Sequence, residues 1–236
     1  MAGSFKFKQF TVANERSAMK VGTDGVLLGA WTRLRESDLE ILDVGTGTGV
    51  IALMLAQRSV SIGSRISAID IDPLSVEEAG MNFRNSPWRG RLEARCLDFR
   101  KMEGERFDLI VSNPPYFINS LKAPEQRRST ARHTDTLSYR ELIGSALRNL
   151  APNGRLAVIL PAQESASFIV EAVRHGLTVT RKTLVRTTEN HPPKRILLEA
   201  SSGECSAEED SLLTIEDSSG FTAPYRALTR DFYLKF

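Results

Sequence analysis

The amino-acid sequence predicts an α/β fold: a doubly wound, mostly parallel sheet with an antiparallel C-terminal edge. Three observations predict it. From residue 40 to residue 175, short apolar runs alternate with stretches of helical length, the order that builds a parallel sheet covered on both faces. The first run, Ile41-Leu42-Asp43-Val44, passes straight into the glycine-rich turn Gly45-Thr46-Gly47-Thr48-Gly49 and then into the apolar stretch Val50 to Ala56. Beyond residue 175 three further β-type runs follow one another with no helix between them, as antiparallel neighbours do.

Along the chain, Phe5-Lys6-Phe7-Lys8-Gln9-Phe10 alternates aromatic with polar or basic residues, the period of a strand with one apolar face. Edge-strand lysines that oppose aggregation and aromatics interleaved for nucleic-acid stacking both produce this pattern. A helix is expected from Asp24 to Arg33, with Thr23 as its cap. Strands follow near 40–44, 66–70, 92–97, 107–112 and 155–160. Asp72-Pro73 opens a helix running to about Asn85, because Asp is a preferred N-cap and Pro a preferred first helical residue. Ser138 with Glu141 three residues later forms a capping box, and Asn153-Gly154 is expected to close that helix. One more helix spans about Gln163 to His175, ahead of β-type runs at Val179–Arg186, Arg195–Ala200 and Leu212–Ile215. There is no internal repeat or linker, so residues 1–236 are expected to form one domain.

Composition narrows the class. With 236 residues, 41% hydrophobic and 25% charged, the chain can bury a full α/β core. It has no run of 18 uncharged apolar residues and no charged-then-apolar leader, so neither a membrane span nor secretion is expected, and the cytoplasm is the expected compartment. Cys96 and Cys205, with no C-x-x-C spacing, suggest neither a disulfide framework nor a metal site. The net charge of +2 is unevenly spread: residues 203–220 hold six acidic side chains and no Lys or Arg, and without them 31 basic face 23 acidic residues. The remaining body, at +8, is basic enough for a phosphate-bearing partner.

Two motifs carry the chemistry. Asn113-Pro114-Pro115-Tyr116 stands behind the apolar run Phe107 to Ser112. Its prolines fix φ and donate no N–H, so the Asn113 side-chain carbonyl and the Pro114 carbonyl form a preset pair of acceptors for a flat NH2-bearing group, with Tyr116 to stack on the ring. Upstream, the glycines run G-x-G-x-G. A dinucleotide fingerprint would need glycine where Val50 stands, and a phosphate-cradling loop would need a lysine after the last glycine. Asp70, at the end of the next strand and 21 residues beyond Gly49, is placed to bind a ribose diol. Asp98, ending the third strand, faces the adenine of the same ligand or closes an Asx turn.

In that order, Asp43-Val44-Gly45-Thr46-Gly47-Thr48-Gly49, Asp70, Asp98 and Asn113-Pro114-Pro115-Tyr116 resemble the class I S-adenosylmethionine-dependent methyltransferases that act on amino groups. The runs Phe7 to Val12, Met19 to Trp31 and Leu228 to Leu234 are similar to the bacterial family that methylates N6 of the adenosine just 3′ of the anticodon, adenosine 37, in a valine tRNA. The resemblance implies a seven-stranded Rossmann-like sheet over residues 36–236, with residues 1–35 closing over the donor and contacting RNA. It implies S-adenosylmethionine as cofactor, a tRNA anticodon loop as partner, and a monomer. The expected donor-binding residues are Asp43, Gly45, Gly47, Gly49, Asp70, Asp98, Lys20 and Thr23, and the expected catalytic ones are Asn113, Pro114 and Tyr116. Residues 117–137 show no clear period, and Lys122, Arg127, Arg128, Arg132 and His133 there are expected to meet RNA phosphates unless the segment is simply a solvated charged loop. The same tetrapeptide occurs in glutamine-amide methyltransferases of release factors and in DNA adenine methyltransferases, and a non-catalytic donor- or RNA-binding module is a further alternative.

Overall fold

The computed structural model describes residues 3–17, 19–115, 137–203 and 209–235. The chain starts with a two-stranded antiparallel hairpin, β1 (Ser4–Lys6) and β2 (Thr11–Ala13), and then α1 (Thr23–Trp31). The single alternating strand expected over residues 5–10 is therefore a short strand and a turn, in which Phe7 and Phe10 are buried and their rings stack at 4.6 Å. The turn suits two large apolar side chains that must both point into the core. Thr23 does not cap α1: Gly22 occupies that position with no side-chain bond, and Thr23 is the first helical residue.

The doubly wound part runs β3 (Glu40–Val44), α2 (Val50–Arg58), β4 (Arg65–Asp70), α3 (Pro73–Arg84), β5 (Leu92–Cys96), β6 (Phe107–Ser112), α4 (Tyr139–Asn149), β7 (Leu150–Pro161), α5 (Ser165–Arg174) and β8 (Thr178–Arg186). It is followed by β9 (Arg195–Ser201), β10 (Glu209–Thr214), a small hairpin of β11 (Glu216–Asp217) and β12 (Gly220–Phe221), and α6 (Ala223–Thr229). Asp72 caps α3 as expected, accepting from the backbone of Leu74 and Ser75 at 3.2 and 3.1 Å. The capping box of Ser138 and Glu141 opens α4. Asn153-Gly154 does not close that helix. It ends at Asn149 because Pro152 cannot continue it and biases Ala151 towards extended backbone; Asn153, at φ +61°, lies in an irregular start to β7.

The strands order as β10-β8-β9-β7-β6-β3-β4-β5, eight rather than the expected seven. The additional strand is β10, which pairs parallel to β8 from Glu209 to Thr214. The antiparallel strand expected towards this edge is β9, which opposes both β7 and β8. Period-two alternation splits each central strand between two cores. Ile41, Leu109, Val111, Ala157 and Ile159 face α1, α2 and α3, while Leu42, Ile110, Leu156, Val158 and Leu160 face α4 and α5. The chain builds outwards from β3 to β5 on one face, then returns to lay β6 against the other side of β3. The helix side changes at that step, and a crevice opens at the carboxyl ends of β3 and β6. The glycine-rich turn and Asn113 stand on its two sides.

Among the described residues no helix is long and apolar enough to cross a membrane, and no group of three or more His, Cys, Asp or Glu is placed to hold a metal. Cys205 lies outside the described residues, and Cys96 is exposed.

Candidate functional site

Val44 and Ser112 are paired residues of β3 and β6, and the Ser112 hydroxyl donates to the Val44 carbonyl at 2.9 Å. That bond holds together the last residues before each motif. After Val44 the chain turns through Gly45, Gly47 and Gly49, all at positive φ (+71°, +55° and +80°). At Gly49 a side chain is excluded twice over: the left-handed backbone disfavours one, and a Cβ would come within 2.5 Å of the Phe83 ring. The turn is pinned from β4. The Ile69 carbonyl accepts from Gly45 and Thr46 N–H at 2.9 and 3.0 Å, and Asp70 Oδ2 accepts from Gly47 N–H at 2.9 Å.

Two carboxylates in this region are raised by their surroundings. Asp43 is fully buried beneath the turn, accepting from the Thr46 hydroxyl at 2.6 Å and from Ala52 N–H at 3.3 Å, while its Oδ1 has no hydrogen-bond partner among the described residues. Burial pushes its pKa up to about 7. Asp70 is also raised, chiefly by burial and against the hydrogen bonds from Asp72 and Gly47 N–H. Asp43 therefore supports the turn from below, whereas Asp70 lines the crevice directly.

The crevice consists of two adjoining cavities of about 260 and 310 Å³ that share Met19, Gly45, Gly47 and Asn113. Asp70, Asp72 and Asp98 line the first, with Ile71, Leu97 and Phe99 as an apolar slot between them. Lys20, Thr23 and Thr48 line the second. Asn113 stands at the junction, half-buried, with Pro114 buried and Pro115 beside it on the first cavity. Asp98 caps the turn Phe99–Lys101, and its carboxylate is taken up by Arg100, whose Nε lies 2.9 Å away; that pairing holds its pKa low. The Lys20 ammonium donates to the Glu15 carbonyl at 2.9 Å. Thus Gly45, Gly47, Asp70, Asp98, Lys20, Thr23, Asn113 and Pro114 are brought together, with Asp43 and Gly49 beneath and behind the turn. Tyr116, Lys122, Arg127, Arg128, Arg132 and His133 lie outside the described residues.

Sequence reasoning missed what holds the N-terminal segment against the turn. Glu78 of α3, buried, accepts from three successive backbone N–H groups: Glu15 and Arg16 on Oε1 at 2.6 and 2.9 Å, and Ser17 on Oε2 at 2.8 Å. One turn on, the Asn82 amide accepts from Ala13 N–H at 2.8 Å and donates to the Thr48 carbonyl, also at 2.8 Å. The two residues tie residues 13–17 and the glycine turn to one helix, and a Cβ on Gly47 would lie 3.3 Å from the Ser17 hydroxyl. Although burial opposes its ionisation, those three N–H groups hold the Glu78 pKa below the ordinary value. The signal was present: Ser75, Glu78, Ala79, Asn82 and Phe83 fall at helical spacing on a single buried face, so Glu78 and Asn82 occupy core positions.

Comparison with known proteins accords with this geometry. The methyltransferase small domain family matches residues 22–184. A Bacteroides fragilis protein named tRNA1(Val) (adenine(37)-N6)-methyltransferase is 47% identical over 235 residues, covering 98% of both chains. A Phocaeicola vulgatus protein of the same name is 49% identical over 98% of this chain and 97% of its own. Among solved structures, a predicted O-methyltransferase from Agrobacterium tumefaciens superposes with a TM-score of 0.70 at 17% identity, covering 89% of this chain and 96% of that one.

Proposed function

The chain belongs to the methyltransferase small domain family, and on that premise we propose that it transfers a methyl group from S-adenosylmethionine to N6 of an adenosine in a tRNA anticodon loop, adenosine 37 of a valine tRNA. It does so as a single cytoplasmic domain and a monomer, with residues 1–35 over the donor. The observation that carries this reading is the placement of Asn113 at the junction of the two cavities, beside the glycine turn, with Pro114 next to it on the first.

The crevice fits that donor. Asp70, Asp72 and Asp98 outnumber the one cation of the wall, Arg100, which pairs with Asp98; the net anionic wall repels a phosphate-bearing nucleotide and suits a cationic nucleoside, while Ile71, Leu97 and Phe99 suit a purine. Asp43, once ionised above its pKa of about 7, adds negative potential under the turn. When bound, S-adenosylmethionine supplies a sulfonium methyl whose leaving group is a neutral thioether. The protein's task is the nucleophile. The N6 lone pair of adenine is delocalised into its ring; acceptance of its two N–H bonds by the Asn113 amide oxygen and the Pro114 carbonyl draws the nitrogen towards tetrahedral geometry and stabilises the positive charge that develops on it. Tyr116 stacks on the extruded base. No strong base is required, because the product ammonium is acidic enough to lose its proton to water. Alignment and exclusion of water do the rest. An anticodon loop presents such a base at small unstacking cost.

The reading is tested by incubating the protein with isotopically labelled donor and tRNA from a strain that lacks it, then mapping the label. N6-methyladenosine at position 37 of valine tRNA is the expected result. Label on a protein glutamine or on DNA adenine would replace it with one of the related activities, and no label at all with a binding module.

Three further outcomes follow from the electrostatics. A cationic donor favours ionised Asp43 and Asp70, so donor affinity should rise as pH increases through about 7, with protons released on binding. Calorimetry in buffers of different ionisation enthalpy reads that release directly. The sign reverses for the ligand-free fold: unfolded Asp43 ionises from 3.8 and folded Asp43 only at about 7, so stability falls as pH rises across that window. Glu78→Ala should weaken donor binding about tenfold or more by releasing residues 15–17, since hydrogen bonds to a charged group contribute about 1.5–3 kcal/mol each. Because the Glu78 pKa is depressed, its clamp is complete above the ordinary 4.5 and is lost only as pH falls through the lower folded value. Wild-type donor affinity in the alanine variant would remove the clamp from the account.

A further inference from the structure

A third cavity, of about 690 Å³ and larger than either half of the crevice, opens on the same carboxyl edge of the sheet. It is bounded by β1, the first turn of α1, the carboxyl ends of β8 and β10, the start of β9, β12 and α6, and the chain end at residues 233–235. Thr23 and Asp24 line both this groove and the second cavity of the crevice, which in turn shares Asn113 with the first. The three cavities thus form one trough from Asp70, past Asn113, to the C-terminal side of the sheet.

The groove has a distinct chemistry. Lys6, Arg186, Lys194, Arg195 and Lys235 line it against two carboxylates, Asp24 and Glu216. Arg195 is held by Asp24, with Nε to Oδ2 at 2.9 Å, and Arg186 by the Thr214 hydroxyl at 2.8 Å, so these two form a built wall. The ammonium groups of Lys6, Lys194 and Lys235 make no hydrogen bond or ion pair among the described residues and are exposed. Between the cations lie aromatic side chains: Phe5 with Tyr233, edge-on at 6.2 Å and both half-buried against the core, and Phe221 against the buried Tyr225 at 5.2 Å. Phe221 is 39% exposed on a two-residue strand that packs no core of its own.

We infer that this groove is a substrate-recognition site that takes single-stranded nucleotides flanking the methylated adenosine, with bases stacked on Phe221 and the Phe5–Tyr233 pair and phosphates met by Lys6, Lys194 and Lys235. The proposal rests on the RNA-methylation reading above and extends it to where the rest of the loop lies. Aromatic faces interleaved with exposed cations are the combination that binds single strands with little base preference, and continuity with Asn113 supplies the register. An acidic peptide would use the cations and leave the exposed Phe221 ring unused.

The test is direct binding of an unmodified valine tRNA transcript in the absence of donor, at several salt concentrations, to the wild type, to the Lys6→Ala/Lys194→Ala/Lys235→Ala variant and to Phe221→Ala. The triple variant should bind at least about tenfold more weakly, and the magnitude of its slope of log K against log salt should be smaller by about 2, at roughly 0.7–0.9 per lost phosphate contact. Phe221→Ala should lose about fivefold or more with the slope unchanged, as expected for a stacking contact. Donor affinity, read by calorimetry, serves as the folding control for both. Wild-type tRNA affinity and slope in the triple variant would overturn the groove as an RNA site and leave a protein partner as its occupant. A wild-type protein that binds the transcript with the expected salt dependence yet methylates nothing would sink the activity while leaving the groove standing.

Discussion

Replacing Asn113 with alanine is expected to all but abolish methyl transfer, lowering it by about 10²–10³, while leaving donor affinity nearly intact. The side chain stands where the two cavities meet, and its amide oxygen is half of the acceptor pair proposed to polarise the substrate amine. Loss of one preorganised group of this kind costs about 10²–10³ in kcat, or roughly 3–4 kcal/mol of transition-state stabilisation. In the proposed reading the donor is held chiefly by Asp70, the glycine turn and the apolar slot rather than by the Asn113 amide. Turnover assays and calorimetry on the same protein separate the two effects. Asn113→Asp, which keeps an acceptor oxygen in place, should retain more activity than alanine. Equal loss of turnover and donor binding would assign Asn113 a structural role instead.

The second large effect lies at the opposite end of the sheet. Arg155 of β7 is completely buried, and its guanidinium binds Glu199 of β9 at 2.8 Å, Asp38 ahead of β3, and the Arg33 carbonyl at 3.0 Å. Asp38 and Glu199 are themselves buried, so Arg155→Met leaves two carboxylates without their common cation. Removing one member of such a group costs about 3–5 kcal/mol, far more than an exposed ion pair contributes. For a chain of 236 residues that corresponds to a fall in Tm of about 6–20 °C. Combining Arg155→Met with Asp38→Asn and Glu199→Gln should recover much of the loss, because the penalty is that of uncompensated charge. A single variant that melts within about 2 °C of the wild type would show that water reaches these carboxylates.

What the sequence revealed and what it concealed differ in physical kind. Motifs made of adjacent residues were legible: the strand, glycine turn and helix at 41–56, the Asp72-Pro73 cap and the capping box at Ser138 each depend on local backbone chemistry that neighbours alone specify. The relation between Gly45 and Asn113 followed from topology, since the crevice of a doubly wound sheet opens where the strand order reverses. Concealed were features that unite distant segments. The spacing of Glu78 and Asn82 marks them as buried, but not their partners, which appear only when β2 and residues 13–17 are laid across them. Arg155, in a strand read only as apolar, finds its partners 117 and 44 residues away. Thr23 looked like a cap because threonine favours that position, but the preceding glycine holds it. The basic, aromatic groove draws on seven separate stretches of chain, of which only the Phe5–Phe10 alternation hinted at nucleic acid.

A crystal structure of the protein with sinefungin and an adenosine-containing anticodon oligonucleotide should show a purine lying beside Pro114, its N6 within about 3 Å of both the Asn113 amide oxygen and the Pro114 carbonyl and facing the position of the transferable group. An Asn113 amide turned away from that position, with no space for a planar ring next to it, would rule out amine polarisation by this pair.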